Sequence, residues 1–336
     1  MATIIPLPKP NEDGSMSREK TIFIRRSRRK INRREFCKGL LAGVAVAGLP
    51  SVALPTNREI FRLRYVLASS LFGQMKLADI LPEVRPTGAE HIDIWPKPHA
   101  NHREQMEAMG QGQFAVMLKQ HGVKLGILTR YDLGPFGIEQ EIYAAKELGG
   151  LMVICGSRGP NNLKGQALKA AVKEFGEKMK PYISAAEEAN IIIGIENHSG
   201  SLIESIESIQ WLVESVPSGH FGIALAPYHL QQEPSVVANL ITNIGNRLVH
   251  FYAWQYGLGC QKKLPKEQEL LQLPGRGNLD FVPIVAALKK INYKGWAEIF
   301  MHPVPRGEPI LATAKEVTAE IERSRQYLES CFAKVL

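Results

Sequence analysis

Five side chains in the second half of this 336-residue chain have the types that proton transfer or metal binding requires. Glu196 closes the apolar run Ile191-Ile192-Ile193-Gly194-Ile195 within the segment IENH, and His229, His250, Glu298 and His302 lie in or just beyond later apolar runs. A carboxylate at the end of an apolar strand is costly to bury without a partner or a task, so Glu196 reads as a general base or a ligand ahead of a structural ion pair. A carboxylate among imidazoles can move a proton at a carbon beside a carbonyl. It can equally hold a divalent cation such as Mn, Mg, Co or Zn. The catalytic candidates are Glu196, His229, Glu298 and His302, and the metal candidates are Glu196, His229, His250 and His302. The plainer alternatives are loop packing for His229 and an interior, hydrogen-bonded place for His250 and Glu298.

A second set of residues has the types that bind a substrate. Trp95, Tyr252 and Trp254 stand near the ends of apolar runs, where flat rings can pack on the C–H face of a sugar. Arg130 and Arg158, with Asp132 and His198, stand in position to bind hydroxyls, a carboxylate or a phosphate. Core packing for the aromatics and surface-loop charge for the arginines are the competing readings. The glycines of PGRGNLD, 274–280, read first as turn residues, because no Lys-Ser/Thr pair follows them.

These residues need a scaffold that gathers them. After Pro55 the chain alternates short apolar runs with helical patterns. Strands are expected at Leu63–Ala68, His91–Trp95, Val123–Leu128, Leu151–Cys155, Ile191–Glu196, Phe221–Leu225, Leu248–Trp254 and Gly295–Phe300. The run ending at Glu196 is too uniformly apolar for a half-solvated strand and suits a parallel strand covered on both faces. Leu168, Val172, Phe175, Met179 and Ile183 mark one face of a helix, as do Val317, Ile321, Ser324 and Leu328. Eight strand–helix repeats in about 280 residues predict an α/β fold, a (β/α)8 TIM barrel forming one domain over residues 56–336. The first strand is not followed by GxGxxG, which argues against a dinucleotide-dependent oxidoreductase.

Three segments, Tyr143–Gly156, Ala185–His198 and Pro274–Ile299, resemble the xylose-isomerase-like superfamily that includes sugar phosphate isomerases and epimerases. That resemblance implies a divalent metal at the carboxyl end of the barrel. It would be held by a Glu ending strand five, the Asp of a DxxH after strand six, a His on strand seven and a Glu ending strand eight. Glu196 occupies the first of these positions, whereas Ala226, Tyr252 and Phe300 occupy the other three and His229 is what remains of DxxH. Side chains two apart on a strand face the same way, so Glu298 and His302 share the parity of Phe300, and His250 that of Tyr252. A replacement site drawn from Glu196, His229, His250, Glu298 and His302 is therefore an expectation for the structure to test. The resemblance implies an isomerase, an epimerase or a related lyase of a carbohydrate or polyol. The loss of three ligands keeps open a catalytically silent sugar-binding barrel or partner subunit.

The front of the chain reads as an address. A basic stretch containing Arg25, Arg26, Arg28, Arg29 and Lys30 leads to the pair Arg33-Arg34, then Phe36, Lys38, a short apolar run from Leu40 to Leu49 and the small residues at Ser51-Val52-Ala53. This is a twin-arginine export pattern over residues 1–55, implying a periplasmic protein, and the apolar run is far short of the ~20 residues a permanent membrane span needs. The segment also holds most of the net charge of +8. Residues 1–53 carry 11 Lys/Arg against 4 Asp/Glu, while the rest of the chain carries 30 against 29. A nearly neutral body excludes the basic face of a nucleic-acid binder. Four cysteines without CxxC spacing exclude a disulfide scaffold.

Overall fold

The computed structural model describes residues 61–335, so the proposed export segment lies outside the described residues. Eight parallel strands, β1 Arg64–Ala68, β2 His91–Ile94, β3 Lys124–Thr129, β4 Met152–Gly156, β5 Ile192–Glu196, β6 Phe221–Leu225, β7 Leu248–Ala253 and β8 Trp296–Ile299, follow one another around a closed barrel. Parallel pairing of β1 with β8, Val66 opposite Glu298, completes the ring. Every strand lies within one residue of its expected bounds at each end. The fold is a (β/α)8 TIM barrel.

Local chemistry explains the outer layer. The helix Gly165–Ala189 buries Leu168, Val172, Phe175, Met179 and Ile183, the face its spacing marks out, and stops where Asn190 takes a left-handed φ of 57°. The last helix, Ala314–Ala333, starts from a Thr313–Glu316 capping box and buries Val317, Ile321, Ser324 and Leu328.

Inside the ring, side chains stack in layers along the barrel axis. Asp93, His250 and Glu298 fill a middle layer and are 0% exposed. Two residues onward along their strands, Trp95, Tyr252 and Phe300 form the next layer toward the carboxyl end. Trp95 stacks on Phe300 at 5.0 Å and Tyr252 packs against Phe300 at 5.2 Å between ring centres.

Candidate active site

Glu196 ends β5 at the carboxyl end of the barrel, the end where TIM-barrel enzymes carry their chemistry. Its neighbour Asn197 ties β5 to the end of β6, donating to the Ala226 carbonyl at 3.1 Å and accepting from the Ala226 N–H at 2.7 Å. That clamp spends the Asn197 side chain between strands, and Glu196 is held 4% exposed with a hydrogen bond from the Tyr131 phenol. Burial pushes the Glu196 carboxyl up to about 8, and the Tyr131 hydrogen bond draws it partway back. The Tyr131 hydroxyl also lies 3.3 Å from that of Tyr252, so two phenols stand beside the carboxyl.

His229 faces Glu196 from the turn after β6, with Nε2 4.0 Å from Oε1. This is too long for a hydrogen bond, and Nε2 has no protein partner. Nδ1 is 3.0 Å from the Ser199 hydroxyl. Burial, with the nearby charges of His198 and Arg306, lowers the imidazole to about 3, so it is neutral at pH 7. If Ser199 donates to Nδ1, Nε2 carries the proton and offers it toward Glu196.

A ring of imidazoles and aromatics continues around the mouth. His198, exposed at the end of IENH, lies 4.1 Å from the His229 ring, and His302 stacks on His99 at 4.6 Å. Trp254 presents its indole to the edges of His229 at 5.2 Å and His302 at 5.1 Å. Gln272 fixes these last two elements together: its Oε1 accepts from Trp254 Nε1 at 3.0 Å and its Nε2 donates to the His302 carbonyl at 2.9 Å. Burial, followed by the charges of His99 and Arg306, drives His302 well below the ordinary imidazole range, and burial brings His99 down to about 4.

The structure thus brings Glu196, His229, His198, His302, Trp95, Tyr252 and Trp254 to one end of the barrel. It does not bring His250 and Glu298 there. Both have the inward parity expected of them but stand two residues before Tyr252 and Phe300 on their strands and are 0% exposed, with His250 Nε2 3.0 Å from Glu298 Oε2. Burial, then the Glu196 charge, keeps the Glu298 carboxyl well above the usual range, and burial lowers His250 to about 3, so the layer is a neutral one. Strand parity sets direction, not height, and these two side chains stand earlier on their strands than Tyr252, Phe300 and His302.

Arg130 stands in an ion cluster. It is bound by Asp132 at 3.0 and 2.9 Å and pairs with Glu141, which takes two hydrogen bonds from Arg103 at 3.1 and 2.8 Å. Its guanidinium is consumed by a structural ion cluster between β3 and the helix Glu139–Glu147. Arg158 is exposed beside Gly134. Three residues of the mouth have no counterpart among the sequence-based candidates: Tyr131, His99 and Gln272. Tyr131 was the findable one, since it adjoins Arg130, and neighbours at a strand end point to opposite faces.

The donor set decides whether the family's metal centre can be rebuilt. Ala226 and Phe300 offer no donor atom and Tyr252 a phenol whose ionisation burial opposes. Among the described residues no three His, Cys, Asp or Glu side chains are placed to hold one ion. The residues present do not fit a four-ligand centre of that kind.

Comparison with known proteins agrees with the fold. Residues 81–327 match the family described as xylose isomerase-like TIM barrel. This chain belongs to that family. Within it, D-psicose 3-epimerase of Enterocloster bolteae is 31% identical over 140 residues, a match spanning 41% of this chain and 41% of the relative. The solved structure of the IolI protein with a bound zinc atom superposes with a TM-score of 0.61 at 17% identity, covering 82% of this chain and 99% of that one. D-Psicose 3-epimerase with D-tagatose from Clostridium cellulolyticum H10 gives a TM-score of 0.61 at 14% identity, covering 80% and 99% of the two chains. At such identities the solved structures establish the shared fold.

Proposed function

We propose that this family member is an exported isomerase or epimerase of a carbohydrate or polyol, in which Glu196 moves a proton at the carbon beside a carbonyl. One observation carries the reading: a carboxyl raised to about 8 by burial, set at the carboxyl end of the barrel between the Tyr131 phenol and a neutral imidazole. A carboxyl titrating there is matched to taking and returning a carbon-bound proton near neutral pH. Ionised Glu196 removes the proton and becomes the carboxylic acid, while the electrons of the C–H bond form an enediolate. The new oxyanion is placed to accept hydrogen bonds from Tyr252, Tyr131 or His229 Nε2. Return of the proton by Glu196 to the neighbouring carbon, with the hydroxyl proton passing from one oxygen of the enediolate to the other, is isomerisation; epimerisation takes its new proton from a second acid or water on the opposite face, and Glu196 then gives its proton to solvent. Expulsion of a group from the next carbon is the lyase outcome of the same first step. Trp95 and Trp254 supply flat apolar walls for the sugar ring. No step is routed through a metal, because the side chains at the family's ligand positions do not provide its donors.

The replaced ligand positions favour a second reading, a barrel that binds sugar without turning it over. Incubation with D-psicose, D-tagatose, D-fructose and L-ribulose in D2O, followed by NMR, separates the two. The enzyme reading expects loss of a C–H signal beside the carbonyl, slowed at least ~100-fold in Glu196→Gln. Binding without exchange between pH 6 and 9 establishes the silent barrel instead. Export rests on the arginine pair: Arg33→Lys with Arg34→Lys should retain the protein in the cytoplasm, and unchanged periplasmic recovery would refute that address.

A further inference from the structure

Arg306 stands on the loop that follows β8, and its charge is not spent on an acid. Its Nη1 donates to the Pro303 carbonyl at 2.8 Å and to the Cys260 carbonyl at 3.4 Å, and its Nη2 donates to the Cys260 sulfur at 3.2 Å. These bonds use three of the five guanidinium N–H groups and leave the Nε–H with the second Nη2–H. That pair forms the edge that matches the two oxygens of a carboxylate. Elsewhere in the chain the same two nitrogens do this: Arg103 on Glu141, Arg130 on Asp132, Arg276 on Glu320 and Arg325 on Glu322. Among the described residues no carboxylate pairs with Arg306.

Its neighbours place it at the mouth. Pro303 adjoins His302 in the chain. The Cys260 sulfur lies 3.1 Å from the Tyr228 hydroxyl, and the Tyr228 ring lies 4.8 Å from that of His229. The next residue, Gly307, has φ +85°, and a Cβ there would meet the Pro98 carbonyl at 2.9 Å, so the loop runs against the backbone just before His99. His99 and His302, stacked at 4.6 Å, are partly exposed, as is Arg306. The His99 ring lies 6.5 Å from that of Tyr131, whose hydroxyl bonds Glu196. One aromatic ring therefore stands between His99 and Glu196, a span within reach of a single hexose. Burial is the main cause of the lowered imidazoles of His99, His229 and His302, and the Arg306 charge adds to it at all three. With those three rings neutral and the Glu196 carboxyl holding its proton at pH 7, the charge of Arg306 is left without a counterion on the protein.

We infer that Arg306, with the N–H groups of His99 and His302 beside it, binds a carboxylate of the substrate, so that the substrate is a keto sugar acid rather than a neutral ketose. The inference rests on the proposed function for the proton transfer. The carboxylate takes the open Nε–Nη2 edge. The sugar chain runs from there toward Glu196 over Phe300, whose ring is 4.7 Å from that of His302. One guanidinium among neutral imidazoles balances one negative charge, which fits a carboxylate and leaves part of a phosphate dianion unbalanced.

Isothermal titration of the full chain with D-fructuronate, D-tagaturonate, D-fructose and fructose 6-phosphate at pH 7 tests this without requiring turnover. At least one of the keto acids should bind roughly tenfold to hundredfold more tightly than fructose, the scale of a charge-assisted bidentate pair. In Arg306→Gln that ratio should fall to about one. A residue that only braces the loop would lower both affinities and keep the ratio, and that result overturns the inference. Keto acids that bind no better than fructose in the wild type also overturn it, a comparison that stands whether or not the variant folds. So does fructose 6-phosphate as the tightest ligand. The deuterium-exchange assay judges Glu196 separately: a keto acid bound without exchange keeps the anion site and fails the proton transfer, and exchange of fructose without preference for the acids does the reverse.

Discussion

Replacing Glu196 with glutamine keeps the shape of the side chain and removes its titration, which makes the cost of burying this carboxyl measurable. The group titrates near 4.5 when unperturbed and at about 8 in the folded protein. Between those values the folded chain holds a proton that the unfolded chain releases. Stability from this group is therefore full below the unfolded value, falls as pH rises, and levels off above about 8. Each pH unit in the window costs about 1.4 kcal/mol, so the interval from pH 5 to 8 has a ceiling of about 4 kcal/mol. Water entry and relaxation at a site beside the barrel mouth should cut this to about 2 kcal/mol. Urea unfolding followed by circular dichroism at pH 5, 7 and 9 reads the effect as the difference between the wild type and Glu196→Gln. The other buried groups, Asp93, His250 and Glu298, are present in both proteins and largely cancel. The variant should gain about 2 kcal/mol relative to the wild type across that range. Parallel stability curves for the two proteins would refute the raised carboxyl, and with it the acid–base role built on Glu196.

The surrounding residues give further tests. Tyr131→Phe removes the hydrogen bond that favours the Glu196 carboxylate, so the alkaline rise in exchange activity should move to higher pH than in the wild type; a shift to lower pH, or none, contradicts that bond. Glu141→Ala removes the two-bond partner of Arg103 and leaves Arg130 with Asp132 alone, both side chains being 11% exposed, and should cost about 3 kcal/mol in urea unfolding; a loss under 1 kcal/mol would mean the cluster is solvated. Restoring the family's ligand set with Ala226→Asp, Tyr252→His and Phe300→Glu should create a site for about one Mn²⁺ per chain by calorimetric titration, absent from the wild type; equal binding by both would show that the native donors suffice.

The scaffold was largely legible because it depends on short-range pattern. Apolar runs of strand length separated by amphipathic helices leave little choice but a closed parallel barrel. The parity of Glu298, His302 and His250 was legible for the same reason, as was the position of Glu196 at a strand end. Depth was not. Whether His250 reaches the mouth depends on how far β7 slides against β6 and β8, and the pairing of β6 with β7 contains a register shift between Ile223 and Ala224. Arg130 shows another limit, because its partner Glu141, shared with Arg103, comes from a helix whose rotation about the barrel no local pattern specifies.

The residue order by itself determined the eight-fold alternation, the buried carboxylate at the end of β5 and the substitution of Ala226, Tyr252 and Phe300 for ligands. Only the tertiary structure decided which polar side chains meet Glu196. Tyr131 and His229 do so because two loops from different strands close over the same mouth. His250 and Glu298 pair with each other inside the ring instead, two residues earlier on their strands than Tyr252 and Phe300. Contacts of this kind depend on barrel stagger and loop closure, which are set by packing of the whole ring.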